Sequence, residues 1–417
     1  MSGNARTGRA PVRGLILILG LLVVAALGAS AVAAQTRDQS APPENLTEEE
    51  LLSRITAARE NSPDFSATAT VEQTLVPEGL LGASQGDNTG NSGPRSVRIW
   101  HGGPDKLRAE LQGKNGDQIF VRNGSEVRSY DGATNTLRTG EKQKPEGQPE
   151  EAASPEKINE ILADISPTSD LKTGPPEEFA GRWAYPLTLE PKDKSQTLVD
   201  KAKALVDAET FVPLSFELYA QNTPDPVIRY EASDFKVGDV PDERFQLETP
   251  PGAKVVSNEE SGSGEGQGEK HGEGQKGQTV ASIAEAQKSV SFPVKQLAGA
   301  PGGRELTEIR VAGSDGVIQT YGSGWGSITL VQKTDQGSTE GTDASQGDSS
   351  GREADNGRDK QSQVPTVDLG GGVEAKEIST PIGTALSWSA DGVSYSLVGS
   401  VPAADLEEAA RSLLAGP

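Results

Sequence analysis

The sequence predicts a β-rich α+β protein built mainly from antiparallel strands. Apolar and polar side chains alternate along residues 212–220 and again along 228–232, which is the period of a half-buried strand. Only 33% of the residues are hydrophobic, and 49 Gly with 27 Pro favour short elements and many turns over one large core. Residues 257–278 contain no aliphatic side chain and no Phe, Trp or Tyr. This composition predicts a flexible linker between two folding units.

The N-terminal segment has the pattern of an export signal. Residues 1–34 contain three arginines followed by an apolar run that ends in Val32-Ala33-Ala34. A run of about 20 apolar residues is also long enough to span a bilayer. Both a cleaved signal peptide and a retained N-terminal membrane anchor therefore stay open, and either one predicts an extracytoplasmic protein of the periplasm or cell envelope. Residues 35–44 are polar and are predicted to be disordered.

A capped helix opens the first folding unit. Thr47 and Glu50 have the spacing of a capping box, in which each side chain accepts a hydrogen bond from the other residue's backbone N–H. Leu51, Ile55 and Ala58 form the apolar stripe of the helix. Pro63 predicts that the helix ends just before it, because the residue preceding a proline avoids the helical conformation.

From Phe65 the pattern changes to the period of two that is typical of strands. The further short strands predicted before the middle of the chain are Arg95–His101, Asp105–Leu111, Gln118–Arg122 and Ser125–Tyr130, and the sheet resumes from Phe179 to Val256. Asn123-Gly124 predicts a tight hairpin. Residues 77–94 contain Leu80 and Leu81, and they form either a floppy hairpin loop or a flap whose leucines close over a cavity mouth.

A second amphipathic helix is predicted in the middle of the chain. Ser154-Pro155 is an N-cap followed by proline at the first helical position. Its apolar stripe consists of Ile158, Ile161, Leu162 and Ile165. Two interpretations stay open: the helix plugs the sheet's own core, or it acts as a displaceable lid.

The second folding unit, residues 279–417, is predicted to be a smaller α+β domain. Ser282 and Glu285 can cap a short helix, and residues 334–363 form a polar insertion that is predicted to be disordered. The predicted strands are Leu306–Val311, Val317–Tyr321, Ser327–Gln332, Val373–Ile378, Ala385–Trp388 and Ser394–Val398. An amphipathic helix over Asp405–Leu414 ends the unit.

The composition argues against most kinds of chemistry. The chain has no Cys and 2 His, so sites built from these residues are excluded by number, and His101 is interpreted as a strand-surface residue. Gly322, Gly324 and Gly326 precede a strand and not a helix, which favours a turn or bulge over a phosphate-binding loop. A net charge of −22 argues against nucleic acid as a partner. We therefore expect no enzyme, no cofactor and no metal site.

Several segments resemble one known superfamily. These are FSATATVEQ from Phe65, AGRWAYPLTLEP from Ala180, DAETFVP over Asp207–Pro213, and YEASDFKVGDVPDERF over Tyr230–Phe245. Over about residues 45–256 the chain resembles the outer-membrane lipoprotein carrier (LolA-like) superfamily, which includes the RseB/MucB-type regulators of the envelope-stress response. The second unit, through SVSFPV, SDGVIQTYG, WGSITLVQ and LSWSADGVSYSLVGSVP, resembles the small C-terminal domain of RseB-like proteins.

The resemblance implies an antiparallel half-barrel, closed by helices, whose concave apolar face accepts acyl chains. The residue pattern, and not the resemblance, supplies the candidate lining residues: Val71, Leu75, Leu80, Leu81, Ile158, Ile161, Leu162, Leu214, Phe216, Leu218 and Tyr230. Three functions stay open. The protein binds lipid or lipoprotein acyl chains as a carrier does, or it regulates a membrane protein such as an anti-sigma factor and senses lipid, or it is a structural envelope protein whose cavity its own side chains fill.

Overall fold

The computed structural model describes two β-sheets and three α-helices in residues 42–60, 63–75, 93–141, 168–257, 278–335 and 364–415. Several predicted segments lie outside these ranges: the signal or anchor of residues 1–34, the loop with Leu80 and Leu81, the mid-chain helix with Ile158, Ile161 and Leu162, and most of the linker and of the second insertion. Among the helices that the structure describes, none is both long and apolar enough to cross a membrane.

The first sheet has 13 strands and is open. Its strands are β1 (Phe65–Gln73), β2 (Arg95–His101), β3 (Lys106–Leu111), β4 (Gln118–Asn123), β5 (Glu126–Asp131), β6 (Thr136–Glu141), β7 (Ser169–Thr173), β8 (Glu177–Phe179), β9 (Arg182–Pro191), β10 (Val199–Asp207), β11 (Pro213–Ala220), β12 (Ile228–Val237) and β13 (Lys254–Ser257). The spatial order is β13-β6-β5-β4-β3-β2-β1-β12-β11-β10-β9-β7, and β8 also pairs with β9. Because β13 and β7 are the two ends of this order, the sheet does not close into a barrel, as the half-barrel prediction requires.

Neighbouring strands of the first sheet pair antiparallel, with one exception among the described pairs: β13 runs parallel to β6. The sequence pattern did not predict β6, because Leu137 is its one strongly apolar residue. Leu137 is fully buried with Val121 and Leu247 in a small cluster. A single buried side chain gives no period, so only the packing reveals this strand.

Helix α1 (Glu48–Glu60) begins at the predicted capping box. The Thr47 backbone N–H donates to the Glu50 carboxylate at 2.9 Å, and the Glu50 backbone N–H donates to Thr47 Oγ1 at 3.2 Å. The predicted stripe of Leu51, Ile55 and Ala58 packs against a cluster on the sheet that includes Tyr185, Leu187, Ala204, Val206 and Phe211. We call the face of the first sheet that α1 covers the inner face, and the opposite side the outer face.

The second sheet forms, with helices α2 (Ile283–Ala286) and α3 (Ala403–Ala415), what we call the second module. Its strands are β14 (Gln278–Thr279), β15 (Leu306–Ala312), β16 (Gly316–Tyr321), β17 (Ile328–Thr334), β18 (Thr366–Gly370), β19 (Val373–Thr380), β20 (Gly383–Ala390) and β21 (Val393–Gly399), in the spatial order β14-β15-β16-β17-β21-β20-β19-β18. Ser282 caps α2 by accepting from the Glu285 backbone N–H, as predicted. In α3 the four predicted stripe residues, Leu406, Ala409, Ala410 and Leu413, are all buried.

Candidate functional site

The inner face carries two rows of apolar side chains that cross the strands in register. In row one Val71, Tyr230, Phe216, Ala204 and Leu187 lie opposite one another on β1, β12, β11, β10 and β9. In row two Ile228, Leu218, Ala202, Leu189 and Leu171 continue the pattern on β12, β11, β10, β9 and β7. Directly opposite residues share a face of the sheet, and strands are about 4.8 Å apart. Each row is therefore a continuous apolar strip about 19 Å long.

The outer face of the same strands carries polar and charged side chains. Glu72, Arg229, Glu217, Lys203 and Thr188 lie opposite one another on the same five strands as row one. The Arg229 Nε lies 3.3 Å from the Glu217 carboxylate. This alternation of an apolar face with a charged face is typical of an antiparallel sheet that is solvated on one side only. The apolar strips are thus confined to the inner face.

The described candidate lining residues all lie on or beside the two rows. Val71, Phe216 and Tyr230 are three successive members of row one, and Leu218 belongs to row two. Leu75 packs in the cluster of Leu218, whereas Leu214 is fully buried in the cluster of Tyr230. Val71 and Phe216 are half-buried. The other five candidates, Leu80, Leu81, Ile158, Ile161 and Leu162, lie outside the described residues, so a lining role stays a prediction for the whole set.

Sequence reasoning missed the part of the rows that lies on β9 and β10. Leu187, Leu189, Ala202 and Ala204 are the row members on these two strands, and the alternation along both strands was visible in the sequence. Helix α1 packs on Leu187 and Ala204. The β9–β10 end of row one is therefore partly covered by protein, where Leu187 and Ala204 are half-buried, while Val71 at the opposite end and Phe216 in the middle are half-buried without a contact to α1 in this cluster.

Row one itself is electrically neutral and ends near a cation. Burial raises the pKa of the Tyr230 phenol to about 12, so this side chain stays protonated at physiological pH. On β2, Arg95 lies opposite Val71, and its Nε donates to the Gln112 carbonyl at 3.3 Å. Burial lowers the pKa of the Arg95 guanidinium, which reflects the cost of holding its charge away from water. The arrangement places a positive charge beside one end of an apolar strip.

His101 is a buried residue and not the strand-surface residue that we expected from the sequence. Its ring stacks on Phe65 with centroids 5.1 Å apart, and it is 4% exposed. The Nδ1–H can donate to the Pro63 carbonyl at 3.2 Å. An aromatic ring with one satisfied polar atom is compatible with the core, so alternation with Val97 and Ile99 on β2 was the better guide to its position.

This burial makes His101 a source of acid sensitivity. Burial, which outweighs the hydrogen bond to Pro63, lowers the pKa of the imidazole below its ordinary 6.5. The unfolded chain then binds more protons below about pH 6.5, so the free energy of unfolding is expected to fall as pH drops through that range, by up to about 1.4 kcal/mol per pH unit. Urea unfolding of the wild type and of His101→Gln, at about pH 7 and about pH 5.5, measures how much unfolding free energy each protein loses as the pH falls. An equal loss in both proteins would contradict it.

The structure offers little for catalysis in the part of the chain that it describes. There, no group of three or more His, Cys, Asp or Glu side chains could hold a metal ion. A recess of about 250 Å³ is lined by Val121, Arg128, Phe245 and Leu247, among others, but these residues lie away from the two rows. Its volume is below the range of about 300–1,000 Å³ that is usual for ligand pockets. The inner face remains the candidate site.

No family model matches the chain. An uncharacterised protein of Methanocaldococcus jannaschii is 31% identical over 163 residues, which span 38% of this chain and 41% of that protein. Among solved structures, a chain of the Pseudomonas aeruginosa MucA/MucB complex is 17% identical, with a TM-score of 0.42 and coverage of 87% of this chain and 96% of that one. A LolA superfamily protein from Nitrosomonas europaea is 13% identical, with a TM-score of 0.20 and coverage of 49% of this chain and 99% of that one. The solved structures to which the chain is similar thus include MucB and LolA-superfamily proteins.

Proposed function

We propose that this chain is a non-enzymatic, extracytoplasmic binding protein that holds the acyl chain of a lipid or lipoprotein on the inner face of its first sheet. The observation that carries the proposal is the pair of apolar rows in register, backed by a charged row on the outer face. A polymethylene chain has no polar groups to satisfy, so the neutral apolar surface that the two rows form suits it without any directional contact.

The energetics favour recognition of the chain over recognition of the headgroup. Each buried methylene contributes about 0.8 kcal/mol, so ten of them contribute about 8 kcal/mol before the cost of ordering the ligand. An anionic headgroup beside Arg95 would reduce the cost of keeping that guanidinium charged away from water. We therefore expect affinity to follow chain length closely and headgroup identity loosely.

Native mass spectrometry of the protein, purified from its own membranes without strong detergent, tests the proposal. We expect extra mass in discrete lipid-sized steps that disappears after extraction with organic solvent. A clean protein mass that stays unchanged after incubation with fatty acids and lipopeptides would overturn the proposal and favour a cavity filled by the protein's own side chains.

A second function is favoured by the contact between the two sheets. The Leu198 backbone N–H donates to the Ser400 carbonyl at 2.8 Å, which joins the second module to the first sheet. Together the two units offer a composite surface for the extracytoplasmic part of a membrane protein such as an anti-sigma factor, with lipid as the signal for release. Cross-linking in native membranes tests this function: a single captured membrane protein that added lipopeptide displaces would support it, and capture unaffected by lipopeptide would contradict it.

A further inference from the structure

The second module contacts one end of the first sheet through side chains and backbone. Trp325 Nε1 donates to Ser169 Oγ at 2.9 Å, and the hydroxyls of Thr197 and Ser400 lie 2.9 Å apart. The Arg304 guanidinium donates to the Gln196 carbonyl across the same boundary. Ser169, Gln196 and Thr197 lie where β7 and β10 begin. The contact is therefore specific in position and contains directional hydrogen bonds.

Two of the three glycines that suggested a turn or bulge, Gly324 and Gly326, have a structural explanation at this contact. A Cβ added to Gly324 would lie 2.0 Å from Thr168 Oγ1, and the positive φ of 59° at this position also disfavours other residues. A Cβ on Gly326 would lie 2.7 Å from the Gln196 carbonyl oxygen. Larger residues at these positions would push the second module away from the first sheet, so the glycines permit a close approach between the two units.

Trp325 and Ile382 of the second module reach the apolar rows. Both are half-buried and pack against the cluster that contains Leu75, Leu218 and Ile228. Leu218 and Ile228 are members of row two, and Leu75 follows β1 at the same end of the sheet. Along the strand direction, the apolar surface of the inner face thus ends just beyond row two. There it meets Trp325 of the second module.

We infer that the second module is the end wall of the acyl site and that Trp325 sets the longest acyl chain the site accepts. This inference rests on the proposed function. An acyl chain that runs in the strand direction, from row one across row two, meets Trp325 and Ile382 beyond row two, so a longer chain must displace Trp325 or stop there. Replacing the indole by a methyl group makes room for additional methylenes, and each further buried methylene tightens binding about fourfold in Kd.

Affinity measured for a series of saturated fatty acids, from decanoate to eicosanoate, tests the inference. In the wild type, affinity is expected to rise with length and then reach a plateau. In Trp325→Ala the plateau is expected at a longer chain, whereas Trp325→Phe shifts it less. Trp100→Ala is the matched control, because Trp100 is a half-buried tryptophan that is stacked with Arg98 and Arg244 instead.

The contact itself is tested without removing the tryptophan. Gly326→Ala should separate the two units, because the added Cβ meets the backbone carbonyl oxygen of Gln196. Gly299→Ala is the control, because nothing lies within 4 Å of the Cβ that it adds. The chain has no cysteine, so a disulfide between Thr197→Cys and Ser400→Cys reports the contact cleanly. We expect the disulfide to form efficiently in the otherwise wild-type chain and in Gly299→Ala. In Gly326→Ala we expect a disulfide yield that is at least severalfold lower, and a plateau of fatty-acid affinity at a longer chain than in the wild type.

Fatty-acid binding by the wild type distinguishes a wrong end wall from a wrong binding function. If the wild type binds fatty acids and the plateau is the same in Trp325→Ala, Gly326→Ala and wild type, the end-wall inference is wrong and the proposed function stands. If the wild type binds none of the fatty acids, the proposed function is wrong and the inference is lost with it.

Discussion

Replacing Asp207 by alanine is expected to lower the free energy of unfolding of the first sheet by about 3–5 kcal/mol. Asp207 is 1% exposed, and its carboxylate accepts from Arg182 Nε at 2.5 Å, from Arg182 Nη2 at 3.1 Å and from the Thr210 backbone N–H at 2.8 Å. Removing it leaves a largely buried guanidinium without its main partner and a turn without its cap. The same turn holds Phe211 at a positive φ of 56°, which adds strain that the cap helps to offset.

Glu209→Ala is the matched control for this substitution. Glu209 accepts from the same Arg182 at 2.9 Å, but its side chain is 32% exposed, so its loss should cost less than about 1 kcal/mol. Urea unfolding followed by circular dichroism, with the slope of free energy against urea compared between variants, measures both. Equal losses for Asp207→Ala and Glu209→Ala would show that the buried network does not hold the turn.

Phe216→Asp is expected to weaken acyl-chain binding by about a hundredfold or more. The substitution places a carboxylate in the middle of row one, between Tyr230 and Ala204, where a bound chain would deprive it of water. Covering an unpaired charge costs several kcal/mol, and a factor of a hundred corresponds to about 2.7 kcal/mol. Fatty-acid titration of the folded variant measures the loss.

Two further variants make this prediction specific. Thr188→Asp introduces the same charge on the outer face, where its neighbours across the strands are Lys203 and Lys172, and binding should be unchanged. Val71→Thr keeps shape and strand preference but adds one hydroxyl to row one, so it should weaken binding severalfold even if Phe216→Asp does not fold. Wild-type affinity in a folded Phe216→Asp protein, or in Val71→Thr, would argue against the inner face as the site.

Local patterns in the sequence determined most of the secondary structure. The capping box at Thr47 and Glu50, the alternation along β11 and β12, and the stripe of α3 each involve residues close together in the chain. The same alternation identified Val71, Phe216, Leu218 and Tyr230 as members of one apolar face. It did not distinguish the fully buried Leu214 from the half-buried Phe216, because the period of two specifies a face and not the depth of burial along it.

The tertiary structure alone decided which residues meet across the sheet and between the sheets. Register brings Val71 opposite Tyr230, and docking brings Trp325 to Ser169, 156 positions earlier in the chain. The glycines at 322, 324 and 326 suggested only a turn, since the atoms that exclude a side chain from Gly324 and Gly326 belong to Thr168 and Gln196. Such contacts leave no local period or spacing in the sequence, because each side of the contact is an ordinary turn or strand end until the two units pack together.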